Sequence, residues 1–126
     1  MGDLDKSLLN TEKAYKELCD FLTITKPSKV ERAGIIQAFE FCFELFWKAF
    51  KKRAFSEGLT VGSPKQAIKA AFAMGIINDE PLWLKMIEDR NLTLHTYNES
   101  LSIEIYSRIR DIYSDEFGAC LTRLSN

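Results

Sequence analysis

Residues 28–58 read SKVERAGIIQAFEFCFELFWKAFKKRAFSEG, and this stretch decides which architecture the rest of the chain can adopt. Its apolar residues recur every three or four positions, which predicts a long helix with Ser28 as N-cap and Gly58 as terminator. Flanking apolar positions widen the apolar face to roughly 200°, well beyond the stripe of an ordinary surface helix. Such a helix must be covered by several neighbouring helices or by a second subunit. The middle of the face consists of Ile35, Phe39, Phe43, Phe46 and Phe50.

Three more helices are predicted from apolar periodicity and from capping residues. The first has Asp3 as its N-cap, and the third combines a Ser N-cap, Pro at the first helical position and a capping-box Gln66. No segment alternates convincingly with a period of two residues, so no sheet is expected. The predicted bounds of these helices are Asp3 to before Lys26-Pro27, Ser63-Pro64 to Gly75, and about Asn78 to about Asn91.

The last helix begins after Asn98, which is a good N-cap. Past Tyr113 its apolar stripe fails, because Glu116 would fall on it, and a second stripe follows at another angle. We therefore predict a break or kink near Ser114-Asp115, with Ser114 capping a short terminal segment. The first stripe consists of Leu101, Ile105, Ile109 and Ile112.

The chain has 126 residues, which predicts a single domain, 1–126. Short connections between helices make neighbours antiparallel, so we expect an all-α antiparallel helical bundle. No apolar run is long enough to cross a bilayer, and the first residues lack the layout of a signal peptide. We expect a cytoplasmic protein with no membrane association.

The formal net charge of −1 indicates no general attraction to nucleic acid, so any RNA contact would need a local basic patch. Lys48, Lys51, Lys52 and Arg53 form the best candidate, although cations at a helix C-terminus are most simply explained by the helix dipole. Three widely spaced cysteines and a single histidine indicate neither a disulfide framework nor a metal site.

A second stretch, EDRNLTLHTY at residues 88–97, contains the residues best suited to chemistry. Arg90 can hold a phosphate through paired hydrogen bonds, and His95 can transfer a proton near neutral pH. Together they could cleave RNA, with the histidine as base towards the ribose 2′-OH and the arginine stabilising charge on the phosphorane. Spacing alone nevertheless favours a structural interpretation, in which Arg90 complements a helix dipole, His95 binds a carbonyl and Tyr97 is a core aromatic.

Other polar residues could lie close to Arg90, His95 and Tyr97, at the corner where the fourth helix meets the last one. Glu40, Glu44 and Lys48 lie on the polar strip of the central helix and could face the cleft of Arg90, although a solvated strip is the simpler interpretation. Asn91 and Thr93 could orient the turn. Phe41 borders the strip and is a candidate subunit contact.

The block Glu88–Tyr97 resembles the signature of the nucleotidyltransferase substrate-binding-like family, a group of small all-helical proteins within the HEPN superfamily. The block IQAFEFCFELFWK at residues 36–48 resembles the aromatic central helix of that family, and Ser63-Pro64 and the helix end at residues 72–75 also fit in order. The resemblance covers about residues 28–109.

The resemblance implies a HEPN-like up-and-down four-helix bundle with additional short helices, usually a homodimer, partnered by a separately encoded minimal nucleotidyltransferase. In HEPN ribonucleases the corresponding Arg and His are the catalytic pair, here Arg90 and His95, acting without metal across the dimer. In HEPN toxins with such a partner, a tyrosine at the position of Tyr97 can receive AMP. Mg-ATP would then belong to the partner, and this chain would carry no cofactor.

Three hypotheses follow from these patterns. In the first, the chain is the toxin-like ribonuclease of a two-gene module, regulated by AMPylation of Tyr97. In the second, it is a non-catalytic subunit that binds a nucleotide or polar substrate for the nucleotidyltransferase. In the third, it is a bundle that only dimerises.

Overall fold

The computed structural model describes residues 2–126, and all of its regular secondary structure within that range is helical. The helices are α1 (Asp3–Phe21), α2 (Lys29–Ser56), α3 (Pro64–Ala73), α4 (Glu80–Leu92), α5 (Glu99–Arg108) and α6 (Ser114–Ser125). A 3₁₀ turn, Thr93–His95, follows α4, and a π-helical turn, Ile109–Tyr113, joins α5 directly to α6. The predicted all-α bundle is confirmed.

The wide apolar face of α2 is covered by other helices of the same chain. Phe39, Phe43, Phe46 and Phe50 are each fully buried. Phe46 stacks on Phe117 of α6 with ring centroids 4.7 Å apart, and Phe50 meets Trp83 of α4 edge-on at 5.1 Å. Aromatic contacts of this kind stabilise a core beyond the burial of their area. Helices of the same chain therefore cover this apolar face, so its width is no argument for a dimer.

Helices α1 and α2 run antiparallel along their length. The Thr11 hydroxyl of α1 donates to the Leu45 carbonyl of α2 at 3.4 Å, while Asp3 at the start of α1 lies 4.0 Å from Lys52 near the end of α2. The short segment between the two helices includes Lys26, which has a positive φ of 52° just before Pro27. The antiparallel pair of α1 and α2 forms one side of the bundle.

Most predicted helix ends are correct, and two capping details differ. Ser28, Ser63 and Asn98 each accept a backbone N–H as N-caps. The N-cap of α1 is Gly2 instead of Asp3, because the backbone is already helical at Asp3. The Gln66 side chain accepts from the Gly62 N–H at 2.7 Å, so it caps the residue before the N-cap and no capping box forms with Ser63.

Of the break or kink predicted near Ser114-Asp115, the break is wrong, because the last helix continues without interruption through the π-helical turn Ile109–Tyr113. Ser114 is helical and its hydroxyl donates to the Arg110 carbonyl, so it caps nothing. A π turn accommodates one extra residue, which rotates the following residues relative to the core. Tyr113 is consequently buried in place of Ile112, which is 45% exposed. The change of apolar stripe was correctly located, and its structural cause was not.

Two further expectations concern the surface. No helix within residues 2–126 combines the length and the apolarity that crossing a bilayer demands. Phe41 is 60% exposed, which agrees with its position at the border of the polar strip. Cys42 and Cys120 are buried and Cys19 is half-buried, and all three are free thiols.

Candidate functional site

The turn between α4 and α5 is built by the polar side chains of its own sequence. The Thr93 hydroxyl donates to the Arg90 carbonyl at 2.6 Å, and the Thr96 hydroxyl donates to the Thr93 carbonyl at 2.9 Å. Asn98 then accepts the Leu101 N–H and starts α5. Short hydroxyl and amide side chains satisfy the free backbone groups at helix ends in this way. Thr93 therefore shapes the turn that joins Arg90 to His95.

Arg90 is held by residues of α2. Its Nη1 lies 3.3 Å from Oε2 of Glu44, and its guanidinium carbon lies 5.6 Å from the centre of the Phe43 ring. The side chain is 27% exposed, so the cation lies at the boundary between the core and the solvent. Its Nη2 also lies 3.4 Å from Oδ1 of the exposed Asn91. The cation–ring contact and the ion pair fix the direction of the guanidinium.

Glu44 connects Arg90 to the rest of the polar strip. It accepts the Trp47 indole N–H at 3.0 Å and lies 3.4 Å from the Lys48 ammonium. Partial burial opposes ionisation of Glu44, but the Trp47 hydrogen bond and the charges of Lys48 and Arg90 prevail and lower its pKa. Glu44 is therefore a carboxylate at neutral pH. The structure brings Glu44 and Lys48 together, as their helical spacing suggested, and places Arg90 against Glu44, where a solvated strip was the simpler interpretation.

Glu40 lies one turn before Glu44 on α2, and its pKa is shifted in the opposite direction. Desolvation raises its pKa, and the nearby Thr93 hydroxyl and the charge of Arg90 offset this only in part. Glu40 thus lies near the same turn as Arg90. Two carboxyl groups therefore face the region where an anion would approach the arginine.

His95 and Tyr97 occupy the open part of the corner. Both are exposed, Tyr97 by 80%, and their rings meet edge-on with centroids 6.0 Å apart. The neighbouring Leu94 is also 82% exposed. The side chains of His95 and Tyr97 make no hydrogen bond within residues 2–126, although the His95 carbonyl accepts the Asn98 N–H. The imidazole and the phenol are therefore accessible to a substrate or a partner.

The sequence did not predict a buried charged cluster around Asp89, the residue that precedes Arg90. Asp89 is fully buried and accepts two hydrogen bonds from Arg108, Nε to Oδ2 at 2.7 Å and Nη2 to Oδ1 at 2.8 Å. The Tyr113 hydroxyl also donates to Oδ2 of Asp89. Burial and the neighbouring carboxylate raise the Tyr113 pKa, and the hydrogen bonds to Asp89 raise the Arg108 pKa.

One signal in the sequence could have revealed the cluster. Asp89 follows Trp83 and Met86 at steps of three residues, so a carboxylate falls on the buried face of α4. A buried carboxylate requires a partner, and Arg108 is the nearest cation in the following helix. The participation of Tyr113 depends on the π turn, which periodicity alone did not reveal.

The residues described by the structure contain no group of three or more His, Cys, Asp or Glu side chains arranged to hold a metal ion. The chemical groups at this corner are a guanidinium, an ammonium, an imidazole, a phenol and two carboxyls. Such a set can bind a phosphate, transfer a proton and accept a group on the phenol.

Comparison with known proteins identifies a family and solved structures that match most of the chain. The family described as "Nucleotidyltransferase substrate binding protein like" matches residues 3–126. A crystal structure from Thermus thermophilus is 41% identical, with a TM-score of 0.86 over 92% of this chain and 99% of that one. A Haemophilus influenzae structure is 26% identical, with a TM-score of 0.71 over 98% of this chain and 97% of that one. That structure is described as revealing the fold of a substrate binding domain of a nucleotidyltransferase.

A curated relative gives a second description. The "Probable ribonuclease HepT" of Haemophilus influenzae is 32% identical in an alignment of 84 residues, which covers 63% of this chain and 58% of the relative's length. This chain therefore aligns with somewhat more than half of that protein. With the family match over residues 3–126 and the shared helical fold, the chain belongs to the nucleotidyltransferase substrate binding protein like family.

Proposed function

We propose that this chain acts with a separately encoded minimal nucleotidyltransferase, and that Arg90, His95 and Tyr97 are its functional residues. Exposure of His95 and Tyr97 as a contacting pair, on the turn that follows Arg90, is the observation that carries the proposal. The family match and the Haemophilus influenzae substrate binding domain support the partnership. The cytoplasm, where ATP and RNA are available, is the expected setting.

The activity that we propose is RNA cleavage by Arg90 and His95 without a metal ion, and the relative named as a probable ribonuclease supports it. His95 would take the proton of a ribose 2′-OH while the 2′-oxygen attacks the adjacent phosphorus. The 5′-oxygen would leave and take up a proton, which yields a 2′,3′-cyclic phosphate and a 5′-hydroxyl end. Arg90 would stabilise the phosphorane.

Each chain has one histidine, whereas the reaction needs a base for one oxygen and an acid for the other. A homodimer that joins two corners would supply both imidazoles and two arginines. A phosphate on Arg90 would compete with Glu44 for Nη1, which lies 3.3 Å from Oε2 of Glu44. A guanidinium has five N–H donors, so the contact with Glu44 leaves others for a phosphate.

Modification of Tyr97 by the partner is the proposed control of this activity. The Tyr97 oxygen would attack the α-phosphorus of Mg-ATP held by the nucleotidyltransferase, and pyrophosphate would leave. The 80% exposure of the side chain provides the access that such a transfer requires. The attached AMP would add an anion and a nucleoside beside His95 and obstruct the approach of RNA.

A second function is favoured by the carboxyl groups of the corner. Glu44 compensates the charge of Arg90, and Glu40 lies near the same turn, which weakens attraction for a polyanion. A non-catalytic subunit that presents a nucleotide or another polar substrate to the nucleotidyltransferase would tolerate these carboxyls better than a nuclease would.

The deciding experiment measures RNA cleavage by the purified protein in excess chelator, together with His95→Ala and Arg90→Ala. We expect cleavage by the wild type, with cyclic-phosphate ends, and a loss of at least about 100-fold in each variant. Arg110→Ala is the matched control, because Arg110 is an exposed arginine paired with its neighbour Asp111. Absence of cleavage by the unmodified wild type, or full cleavage by His95→Ala, would refute the nuclease and favour the substrate-binding subunit.

Intact mass after incubation with the partner and Mg-ATP tests the modification. We expect a gain of AMP on the wild type and none on Tyr97→Phe. Tyr106→Phe is the control, because Tyr106 is a buried tyrosine on α5. A gain of AMP that persists in Tyr97→Phe would assign the modification to another residue.

A further inference from the structure

A cavity of about 590 Å³ lies away from Arg90 and His95, between the start of α1, the end of α2 and the loop after α2. Its walls are mostly apolar. Phe55 and Leu59 border it and are 74% and 47% exposed, so they extend its apolar wall to the surface. Volumes of this order are typical of sites for small organic molecules. Trp47, Phe55, Leu59, Val61 and Leu4 supply the apolar lining.

The charged residues of this cavity are mainly lysines of α2. Lys48, Lys51 and Lys52 line it, against the single carboxylate of Asp3. Lys48 is paired with Glu44 at 3.4 Å, and Lys52 lies 4.0 Å from Asp3. Lys51 has no ion-pair partner among residues 2–126. The helix dipole accounts for cations near the end of α2, but it does not account for their position on the wall of an apolar cavity.

A second cavity provides an internal comparison. It also lies between α1 and α2, has a volume of about 510 Å³ and contains an exposed phenylalanine, Phe41. Its charged lining residue is Glu17, and no lysine or arginine contributes to it. Apolar grooves along α1 and α2 are thus not cationic in general, and the three lysines distinguish the first one.

We infer that the first cavity binds a small organic acid, whose apolar body packs against Trp47 and Phe55 and whose acidic group is held by Lys51 and Lys52. The apolar lining supplies the driving force, and the lysines select for an anion. The cavity is closed at one side by α1, so it suits a compact molecule better than a continuous strand of nucleic acid. This inference does not depend on the roles of Arg90, His95 and Tyr97.

Such a ligand would lie next to the network that holds Arg90. Trp47 and Lys48 both line the cavity, and both bind Glu44, which in turn binds Arg90. The acidic group, held by Lys51 and Lys52, would therefore lie beside Lys48, the cation that pairs with Glu44. Binding of the ligand has its own readout and requires no activity at Arg90.

The test uses anilinonaphthalene sulfonate, an aromatic anion whose fluorescence rises on transfer to an apolar site, as the probe. We expect saturable binding of one probe per folded chain. Phe55→Asp places a carboxylate on an exposed position of the cavity and should weaken binding at least about tenfold. Phe41→Asp is the matched control, because it makes the same change at an exposed phenylalanine of the same helix in the cavity without lysines.

The role of charge is tested with phenylnaphthylamine, which has the same apolar body and no sulfonate. The wild type should bind the sulfonate at least about fivefold more tightly than the neutral probe, and Lys51→Gln with Lys52→Gln should remove this preference. Thermal unfolding of each variant shows that it remains folded. Equal binding of both probes by the wild type, or equal losses in Phe55→Asp and Phe41→Asp, would overturn the inference. So would light scattering that shows the groove covered by a second copy, relieved by Phe55→Asp.

Discussion

Asp89 and Arg90 are adjacent on α4, yet Asp89 lies in the core and Arg90 at its boundary with the solvent. Asp89 is fully buried and receives hydrogen bonds from Arg108 and Tyr113. Arg90 is 27% exposed and reaches a single carboxylate, Glu44, across the surface. One step along a helix rotates the side chain by about 100°, which is enough to turn from the core to the solvent. The charge next to the arginine that we propose as functional therefore lies in the core.

The difference lies in how completely each set of polar groups is satisfied. The buried cluster uses both carboxylate oxygens of Asp89, and no buried side-chain N or O atom within residues 2–126 lacks a partner. A charge is tolerated in a protein interior only when it is paired and its hydrogen bonds are satisfied. His95 and Tyr97 have only an edge contact with each other. We therefore expect changes in the buried cluster to affect folding, and changes in the exposed corner to affect function.

Asp89→Ala should have the largest effect on stability. It leaves the Arg108 guanidinium and the Tyr113 hydroxyl without their acceptor in a largely buried position. Breaking a buried ion pair from one side costs about 3–5 kcal/mol, and we expect a loss at the lower end because Arg108 is 26% exposed. Urea unfolding followed by circular dichroism measures the change.

The double variant Asp89→Ala with Arg108→Ala is the control for this prediction. Removal of both partners eliminates the unpaired charge, so the double loss should be smaller than the sum of the two single losses. Additive losses would contradict the role of the pair. If Asp89→Ala fails to fold, Asp89→Asn takes its place, because the amide retains the shape and can still accept a hydrogen bond.

Tyr113→Phe should have an intermediate effect that depends on pH. Loss of the hydrogen bond to Asp89 should cost about 1.5 kcal/mol at neutral pH. Burial and Asp89 raise the folded-state pKa of Tyr113 above its ordinary value of 10.0, so above pH 10 the unfolded chain loses this proton while the folded chain retains it. The advantage of the wild type over the variant should then decline by about 1.4 kcal/mol per pH unit.

The measurement for Tyr113 is the free energy of unfolding of both proteins from pH 7 to pH 11. The two curves should converge about one pH unit above pH 10. A constant difference across this range would show that Tyr113 ionises equally in both states, contrary to its position beside a buried carboxylate.

Arg90→Ala and His95→Ala should have the smallest effects on stability. A partly exposed ion pair and one cation–ring contact make the loss for Arg90→Ala about 1 kcal/mol or less, and the exposed His95 should contribute under about 0.5 kcal/mol. Urea unfolding of each variant beside the cleavage assay separates folding from function. A loss above about 2 kcal/mol for His95→Ala would mean that this histidine is structural.

The fold could be predicted from the sequence to the extent that local chemistry determines it. Ser28, Ser63 and Asn98 are caps because short polar side chains accept backbone N–H groups at helix starts, whatever the rest of the molecule does. The turn from Arg90 to His95 has the same origin in Thr93 and Thr96. The π turn was not predictable in this way, because it depends on which residues of the last helix the core accepts.

The contacts of the candidate site also divide into those that local spacing predicts and those that depend on packing. The grouping of Glu44, Lys48 and Arg90 follows partly from helical spacing, since Glu44 and Lys48 are one turn apart. The contact of Glu44 with Arg90 joins positions 46 residues apart in sequence, and that of Asp89 with Arg108 joins positions 19 apart. Periodicity places Asp89 on the buried face of α4, but no local rule assigns Glu44 to Arg90.

The sequence by itself determined that this chain is all-helical, that α2 is its central helix, and that Arg90, His95 and Tyr97 lie close together along the chain, at the end of one helix and in the turn that follows it. Periodicity and capping act over a few residues, so they are readable without the fold. Only the tertiary structure decided that α2 is covered within one chain, that Asp89 is buried while Arg90 faces Glu44, and that lysines of α2 line a cavity. These outcomes depend on which helices pack together, because burial and ion pairing are properties of neighbours that are distant in sequence.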